Sequence, residues 1–257
     1  MSQLPHSSQS GLALKPGTRK SGGRLSANEQ VARAIGIAIV SGQIGADQRL
    51  PPEAELLEEY GISRTVLREA LKILTAKGLI ASRTYVGTWV LDRTHWHVFD
   101  PDVLAWHEEM GLDSALLEEF FEFRLAFEPA AAAMAARRAT PEDVADLRAC
   151  LAAMQAACDD PGAYAQADLA LHKAIGAMSG NRLVRGAASV TQASLLGAFE
   201  AGARKSGKKA QDRARMARSY AAHQAIVEAI AAANPAAAHA AMIEAIELGR
   251  AGLNPPR

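Results

Sequence analysis

Cysteine is nearly missing from this chain of 257 residues, which has only Cys150 and Cys158. They lie more than two turns apart on what reads as one helix, so neither a disulfide framework nor a metal knuckle follows from them. Aromatic residues make up only 5%. Together with the lack of alternating β-branched runs in the C-terminal half, this argues against a sheet-built enzyme domain there. No apolar run is long enough to span a bilayer, and the polar start from Met1 to Ser10 lacks the hydrophobic stretch of a signal peptide. The expectation is a cytoplasmic protein. Net charge is absent too, with 28 basic and 28 acidic residues.

That zero hides an asymmetry. Residues 1–94 hold 12 Lys and Arg against 8 Asp and Glu, and the remainder holds 16 against 20. A basic N-terminal part is what phosphate neutralisation requires. A hydrophobic content of 49% supports a sizeable core, and the length suits one or two domains. Residues 1–25 read as a disordered tail, polar and Ser/Gly-rich, with Lys15, Arg19, Lys20 and Arg24 as its basic residues.

The segment from Gly61 to Leu71 is the most informative in the chain. A turn glycine precedes Ser63, which suits an N-cap. The helix that follows exposes Arg64, Thr65 and Arg68 while Val66, Leu67, Ala70, Leu71 and Leu74 form an apolar face. Arginine at a helix N-terminus opposes the macrodipole. That cost is offset where the helix end meets phosphates and guanine edges. A solvated basic helix end is the alternative for Arg64 taken alone. The flanks favour DNA. Ser26 to Glu29 has capping-box spacing and opens a helix through Val31, Ile35, Ala38 and Ile39 that stops near Gly42. A second helix starts at Arg49-Leu50-Pro51-Pro52-Glu53 and ends at Tyr60-Gly61. Ile80 to Thr84 and Gly87 to Leu91 suit a two-stranded wing, with Arg83 and Thr84 placed to touch the DNA backbone or minor groove.

Residues 30–91 resemble the winged-helix domain of the GntR family of bacterial transcription regulators. The match runs through Arg49-Leu50-Pro51, Glu53, Glu55-Leu56, Ser63-Arg64-Thr65, Arg68-Glu69-Ala70-Leu71, Gly78-Leu79 and Gly87-Thr88-Trp89-Val90. The resemblance implies DNA binding through Arg49, Ser63, Arg64, Thr65, Arg68, Arg83, Thr84 and Gly87. Two departures leave the operator sequence open: Ala54 stands where many relatives have a DNA-contacting arginine, and Thr84-Tyr85-Val86 replaces the usual Pro-Gly-basic wing tip.

The segment Phe99 to Trp106 reads as an ordered connector whose short helix begins at Asp100-Pro101. It resembles the connector of FadR-like GntR regulators, especially those responsive to sugar acids such as galactonate. From Ser114 on only helices are expected, near 114–138, 141–158, 161–178, 182–204, 212–232 and 235–252. Over residues 109–252 this pattern resembles the helical FadR C-terminal domain, FCD. The expected fold is therefore mainly α: a winged helix-turn-helix over 26–92, a linker over 93–111 and an all-helical bundle over 112–257.

Four polar residues fall on inward stripes of those helices. Asp168 and His172 are one turn apart, on the face of Leu171 and Ile175, and His223 lies in the series Met216, Tyr220, Ile226, Val227 and Ile230. A carboxylate and two imidazoles can hold one divalent cation with coordination positions left open. A hydrogen-bonded Asp–His pair is the commoner meaning of the Asp168–His172 spacing taken alone. Resemblance to FCD metal positions favours the metal, one zinc-, nickel- or manganese-type ion per chain. Metal-binding relatives usually add a histidine on the last helix, where this chain has Ala245. His239 falls on a different face. Arg124 interrupts the stripe of Leu117 and Phe121. It suits either a pair with Glu128 or a bidentate clamp for an organic acid, and the resemblance to FCD effector pockets favours the clamp.

These features point to a homodimeric regulator, a repressor of sugar-acid or other carboxylate catabolism. A small hydroxy-carboxylate would release it from a pseudo-palindromic operator. Two alternatives remain open from the sequence. One is a metal-dependent enzyme using Asp168, His172 and His223 with an accessory DNA-binding domain; the other is a metal-sensing regulator without an organic effector.

Overall fold

The computed structural model describes residues 25–83, 87–187 and 209–251, with Arg83 and residues 209–212 described by backbone alone. Two compact units meet at Met110 and Gly111. The first contains α1 (Ala27–Val40), α2 (Glu53–Tyr60), α3 (Arg64–Ala76), strands β1 (Ile80–Arg83) and β2 (Gly87–Val90), and α4 (Pro101–Met110). Helix α1 starts in the expected capping box, with Ser26 and Glu29 satisfying each other's end of the first turn. Helix α2 ends where Gly61 takes the left-handed conformation at φ 61°. Ser63 caps α3, its Oγ accepting from the Val66 N–H at 3.4 Å. The buried face of α3, Leu67, Ala70 and Leu74, packs with Val31, Ile35 and Ile39 of α1 and with Leu56, Leu79 and Val90.

The wing is an antiparallel pair in which Ile80 faces Val90 and Arg83 faces Gly87. Its outer edge is extended by the segment before α2. Leu50 N–H donates to Thr88 O at 2.9 Å and Val90 N–H to Gln48 O at 2.9 Å, setting Arg49 opposite Trp89. Gly87 has φ 110°, and a Cβ there would lie 2.4 Å from Arg49 Nε. Glycine adopts that backbone without strain, and its lack of a Cβ lets the Arg49 guanidinium rest against it. Thr84, Tyr85 and Val86, at the wing tip, lie outside the described residues.

The second unit is helical throughout its described residues: α5 (Ser114–Ala136), α6 (Pro141–Ala156), α7 (Pro161–Met178), α8 (Arg182–Gly186), α9 (Lys209–Ala231) and α10 (Pro235–Ala251). Most starts follow capping chemistry legible in the sequence. Asp113, Thr140, Asp160 and Asn181 each accept backbone N–H groups of the first turn they precede. Helix α5 packs on α10 and α7, α6 on α7, and α9 on α10 and α6. Phe121, Leu147, Met154, Leu171, Ile226, Val227 and Met242 form the center of this core. Helix α8, expected to run over 182–204, ends at Gly186 with Ala187 as its C-cap, and residues 188–208 lie outside the described residues. Cys150 and Cys158 are free and half-buried, and Cys158 falls beyond the end of α6.

A candidate reading helix and a candidate metal centre

In the first unit, Ser63, Arg64, Thr65 and Arg68 are all exposed on α3, as is Arg49 on the extended segment. No acidic residue occupies the first turn of α3. Arg64 Nε lies 3.5 Å from Glu53 Oε1, with 77% of the arginine side chain exposed. Exposed pairs of this kind contribute at most about 1 kcal/mol, so Glu53 does not commit the guanidinium. Arg83 sits at the end of β1, and Thr84 lies outside the described residues.

In the second unit, Asp168 and His172 of α7 and His223 of α9 converge in the core, 3%, 6% and 3% exposed. Asp168 Oδ1 is 2.9 Å from His223 Nε2 and 3.2 Å from His172 Nε2. The two Nε2 atoms are 3.1 Å apart. Each imidazole is oriented through its other nitrogen. His223 Nδ1 lies 2.7 Å from the Ser219 carbonyl, and a carbonyl only accepts, so Nδ1 carries a proton and Nε2 faces inward. His172 Nδ1 is 2.7 Å from Glu128 Oε2 on α5. The line between them lies off the N–H direction, which leaves Nδ1 without a hydrogen bond. A ring N–H donated to a carbonyl, as at His223, is the usual outer support of a metal-ligating histidine; at His172 the Glu128 carboxylate supplies a neighbouring charge instead.

The central atoms fit a cation. Asp168 Oδ1 is buried and receives no well-formed hydrogen bond. A lone-pair-bearing oxygen and two ring nitrogens within about 3 Å of one another need positive charge among them. Three donor atoms of these types within 4.8 Å can supply one ligand each. Their separations approach the edge of a tetrahedron with metal–ligand bonds of about 2.0–2.1 Å.

Surrounding charges reinforce this polarity. Burial works to raise the Asp168 pKa, yet the neighbouring His223 and His172 hold it well below the usual carboxylate range. Glu128 is likewise held low against its burial by Arg124 and His172. For His172 burial works downward, but Glu128 and then Asp168 carry it up to about 9. Without a metal, therefore, His172 takes a proton in its place.

Arg124, 1% exposed, meets Glu128 by Nε to Oε1 at 2.8 Å and Nη2 to Oε2 at 3.3 Å. The i, i+4 pair, which was the alternative to an effector clamp, is thus present and bidentate. Arg124 Nη2 also stands 3.4 Å from His172 Nε2. Beside Glu128 and His172 lies a small cavity of about 10 Å³, whose walls include Phe127, Ala131, Ile175, Val184 and Met242. Ala245 is buried on α10 and His239 is exposed, so the missing fourth histidine is not replaced from that helix. Sequence reasoning missed the Ser219 carbonyl, which no residue type advertises because every helical residue carries one. It named Glu128 only as a partner of Arg124, although its position on the inward stripe was visible.

Comparison with known proteins agrees with both units. Residues 27–90 match the bacterial regulatory proteins of the gntR family, and residues 119–248 match the FCD domain. The galactonate operon transcriptional repressor of Escherichia coli is 38% identical over 151 residues, covering 59% of this chain and 66% of that protein. The E. coli HTH-type transcriptional regulator YieP is 33% identical, covering 62% of this chain and 70% of that one. Among solved structures, the Listeria monocytogenes regulator Lar is similar with a TM-score of 0.56 at 19% identity, covering 90% of this chain and 99% of Lar; that likeness speaks for the fold alone. Among the described residues no helix is long and apolar enough to cross a membrane. The reading of Asp168, His172 and His223 as an enzyme's centre gives way to a regulatory one, since the chain belongs to a family of transcription regulators: the FCD-containing, FadR-like branch of the GntR family.

Proposed function

We propose that this protein is a dimeric repressor that binds a pseudo-palindromic operator through α3 and the wing, and that a small hydroxy-carboxylate bound beside a divalent ion in the helical unit releases it. The convergence of Asp168 Oδ1, His172 Nε2 and His223 Nε2 around an unsatisfied buried oxygen carries this reading. A bound zinc-, nickel- or manganese-type ion would supply Lewis acidity and open positions for a chelating carboxylate and α-hydroxyl. Glu128 and the Ser219 carbonyl keep the two rings aimed. Ala245 leaves free the side from which a fourth histidine would reach. Arg124 attracts the effector's carboxylate, and Glu128 competes for the same guanidinium nitrogens.

Similarity to a galactonate operon repressor supports a sugar acid as the effector, an analogy between relatives rather than a deduction from the cavity. Release requires that the effector favour one arrangement of the two reading heads over another. Elemental analysis of the purified protein tests the metal. The expected result is about one divalent ion per chain, lost in His223→Ala with helix content unchanged. Equal metal content in wild type and in the Asp168, His172, His223 triple alanine variant would overturn the reading.

A further inference from the structure

Charge buried in a helical bundle has to be balanced, because water is not there to screen it. Among the described residues of the second unit, the buried acidic and basic side chains are Arg124, Glu128, Asp168, His172 and His223. All of them belong to one cluster. The ionic state of Glu128 follows from geometry: Arg124 Nε donates to Oε1 and Nη2 to Oε2, so both oxygens accept, as they do only in a carboxylate. One turn of α5 separates the two residues, and both are buried, so neither charge is relieved by water. Asp168 adds a second carboxylate, whose Oδ1 has no well-formed hydrogen bond. The two imidazoles ligate a cation only as neutral rings. The side chains therefore supply two negative charges against one positive. With a divalent ion between Asp168, His172 and His223, the net charge of the cluster becomes one positive.

The space next to the cluster points the same way. Apart from Glu128 and His172, the cavity is lined by Phe127, Ala131, Ile175, Gly176, Val184 and Met242. None of these side chains carries a charge or a hydrogen-bond donor. A first carboxylate would find the ion and Arg124. A second one would find apolar walls and the carboxylate of Glu128, and a charge buried without a partner is strongly disfavoured.

We infer that Glu128 sets the ligand charge this site accepts: by cancelling Arg124 it holds the loaded cluster at one net positive charge, which selects hydroxy acids with a single negative charge over their dicarboxylate counterparts. This rests on the proposed metal-dependent reading of the helical unit. The same charge has a second effect. Glu128 Oε2 lies 2.7 Å from His172 Nδ1, so its negative charge also favours the cation that His172 holds. Removing that charge alone moves two affinities in opposite directions: the ion is held less tightly, and a dicarboxylate more tightly relative to a monocarboxylate.

The test is calorimetric titration of the zinc-loaded full chain at neutral pH with galactonate, galactarate and galactarate monoamide. The last two are matched in size and differ by one charge. Lactate, malate and malate monoamide repeat the comparison with smaller acids. Wild type is expected to bind the singly charged acids at least about tenfold more tightly than the dicarboxylates, because like-charge contacts discriminate strongly. Glu128→Gln, which keeps the shape and removes the charge, should narrow that gap to within about threefold and weaken zinc about tenfold in a chelator competition. Arg124→Gln/Glu128→Gln returns the cluster to its original net charge. It should bind every acid more weakly and yet recover the wild-type preference, a rescue that a packing role for Glu128 would not produce. Wild type that binds a dicarboxylate as tightly as its monoamide would overturn the inference, and this comparison decides it even where a variant fails to fold. Glu128→Gln with the wild-type preference would overturn it as well. Wild type that retains no zinc, or binds none of these acids, would overturn the metal-dependent reading itself.

Discussion

Arg64 and Arg68 stand exposed on a helix whose first turn has no acidic residue to hold them. Replacing either with alanine should cost about 1–3 kcal/mol of operator affinity and relax the base preference, whereas Arg49→Ala should weaken all duplexes alike and lower the salt slope by about one. Anisotropy titrations over a panel of point-varied duplexes read both effects. His172 gives a pH signature to the metal-free protein. Its pKa is raised from 6.5 to about 9, so its contribution to stability is full below pH 6.5, fades as pH rises and is gone above about pH 9. Asp168 and Glu128 are lowered from 3.8 and 4.5, so theirs is full above those values and lost in acid. The thermal midpoint of chelator-treated protein should therefore fall between pH 6.5 and 9, and fall again below about pH 4; a flat alkaline side would contradict the charge assignment. Ala245→His should tighten metal binding and weaken the effector response, because it fills a coordination position that the effector needs. A competition titration with a chromogenic chelator, paired with operator release, checks it.

At the scale of elements, the helix caps and inward stripes carried most of what could be foreseen. Ser26 and Ser63 announced helix starts because each supplies a side-chain oxygen where backbone N–H groups lack partners, and in the structure Asp113, Thr140 and Asp160 do the same. Asp168, His172 and His223 were legible as a set because polar groups on an apolar face require a partner inside. What joined them was less visible. Glu128 and Arg124 come from α5, 40 and more residues before α7's ligands, and only packing reveals that their charges surround His172. The docking of α4 on α1 was also hidden, although Gly36 in the middle of an apolar-periodic helix was a signal that something approaches the backbone closely. Gly36→Ala tests that approach. Its helix propensity improves by about 1 kcal/mol, but the added methyl would come within 2.3 Å of the Trp106 ring of α4, and overpacking of this kind costs about 1–3 kcal/mol. The net expectation is a lower thermal midpoint for the first unit; a raised midpoint would show that Trp106 gives way without cost.

The molecule as a whole combines a basic reading head with an acidic helical unit, with 12 basic against 8 acidic residues in positions 1–94 and the reverse bias beyond. The field of the first part favours phosphate, and that of the second surrounds a cation site. In the proposed mechanism a hydroxy-carboxylate acts through a metal held by Asp168, His172 and His223. The most direct measurement is anisotropy of a labelled duplex bound to the full chain, titrated with galactonate, other aldonates, uronates, lactate, citrate and a fatty acyl thioester, before and after metal removal. The expected result is release by a hydroxy acid from the metal-loaded protein and loss of that release after stripping. Release by the acyl thioester alone, or release by a hydroxy acid that survives both metal removal and Arg124→Ala, would contradict it.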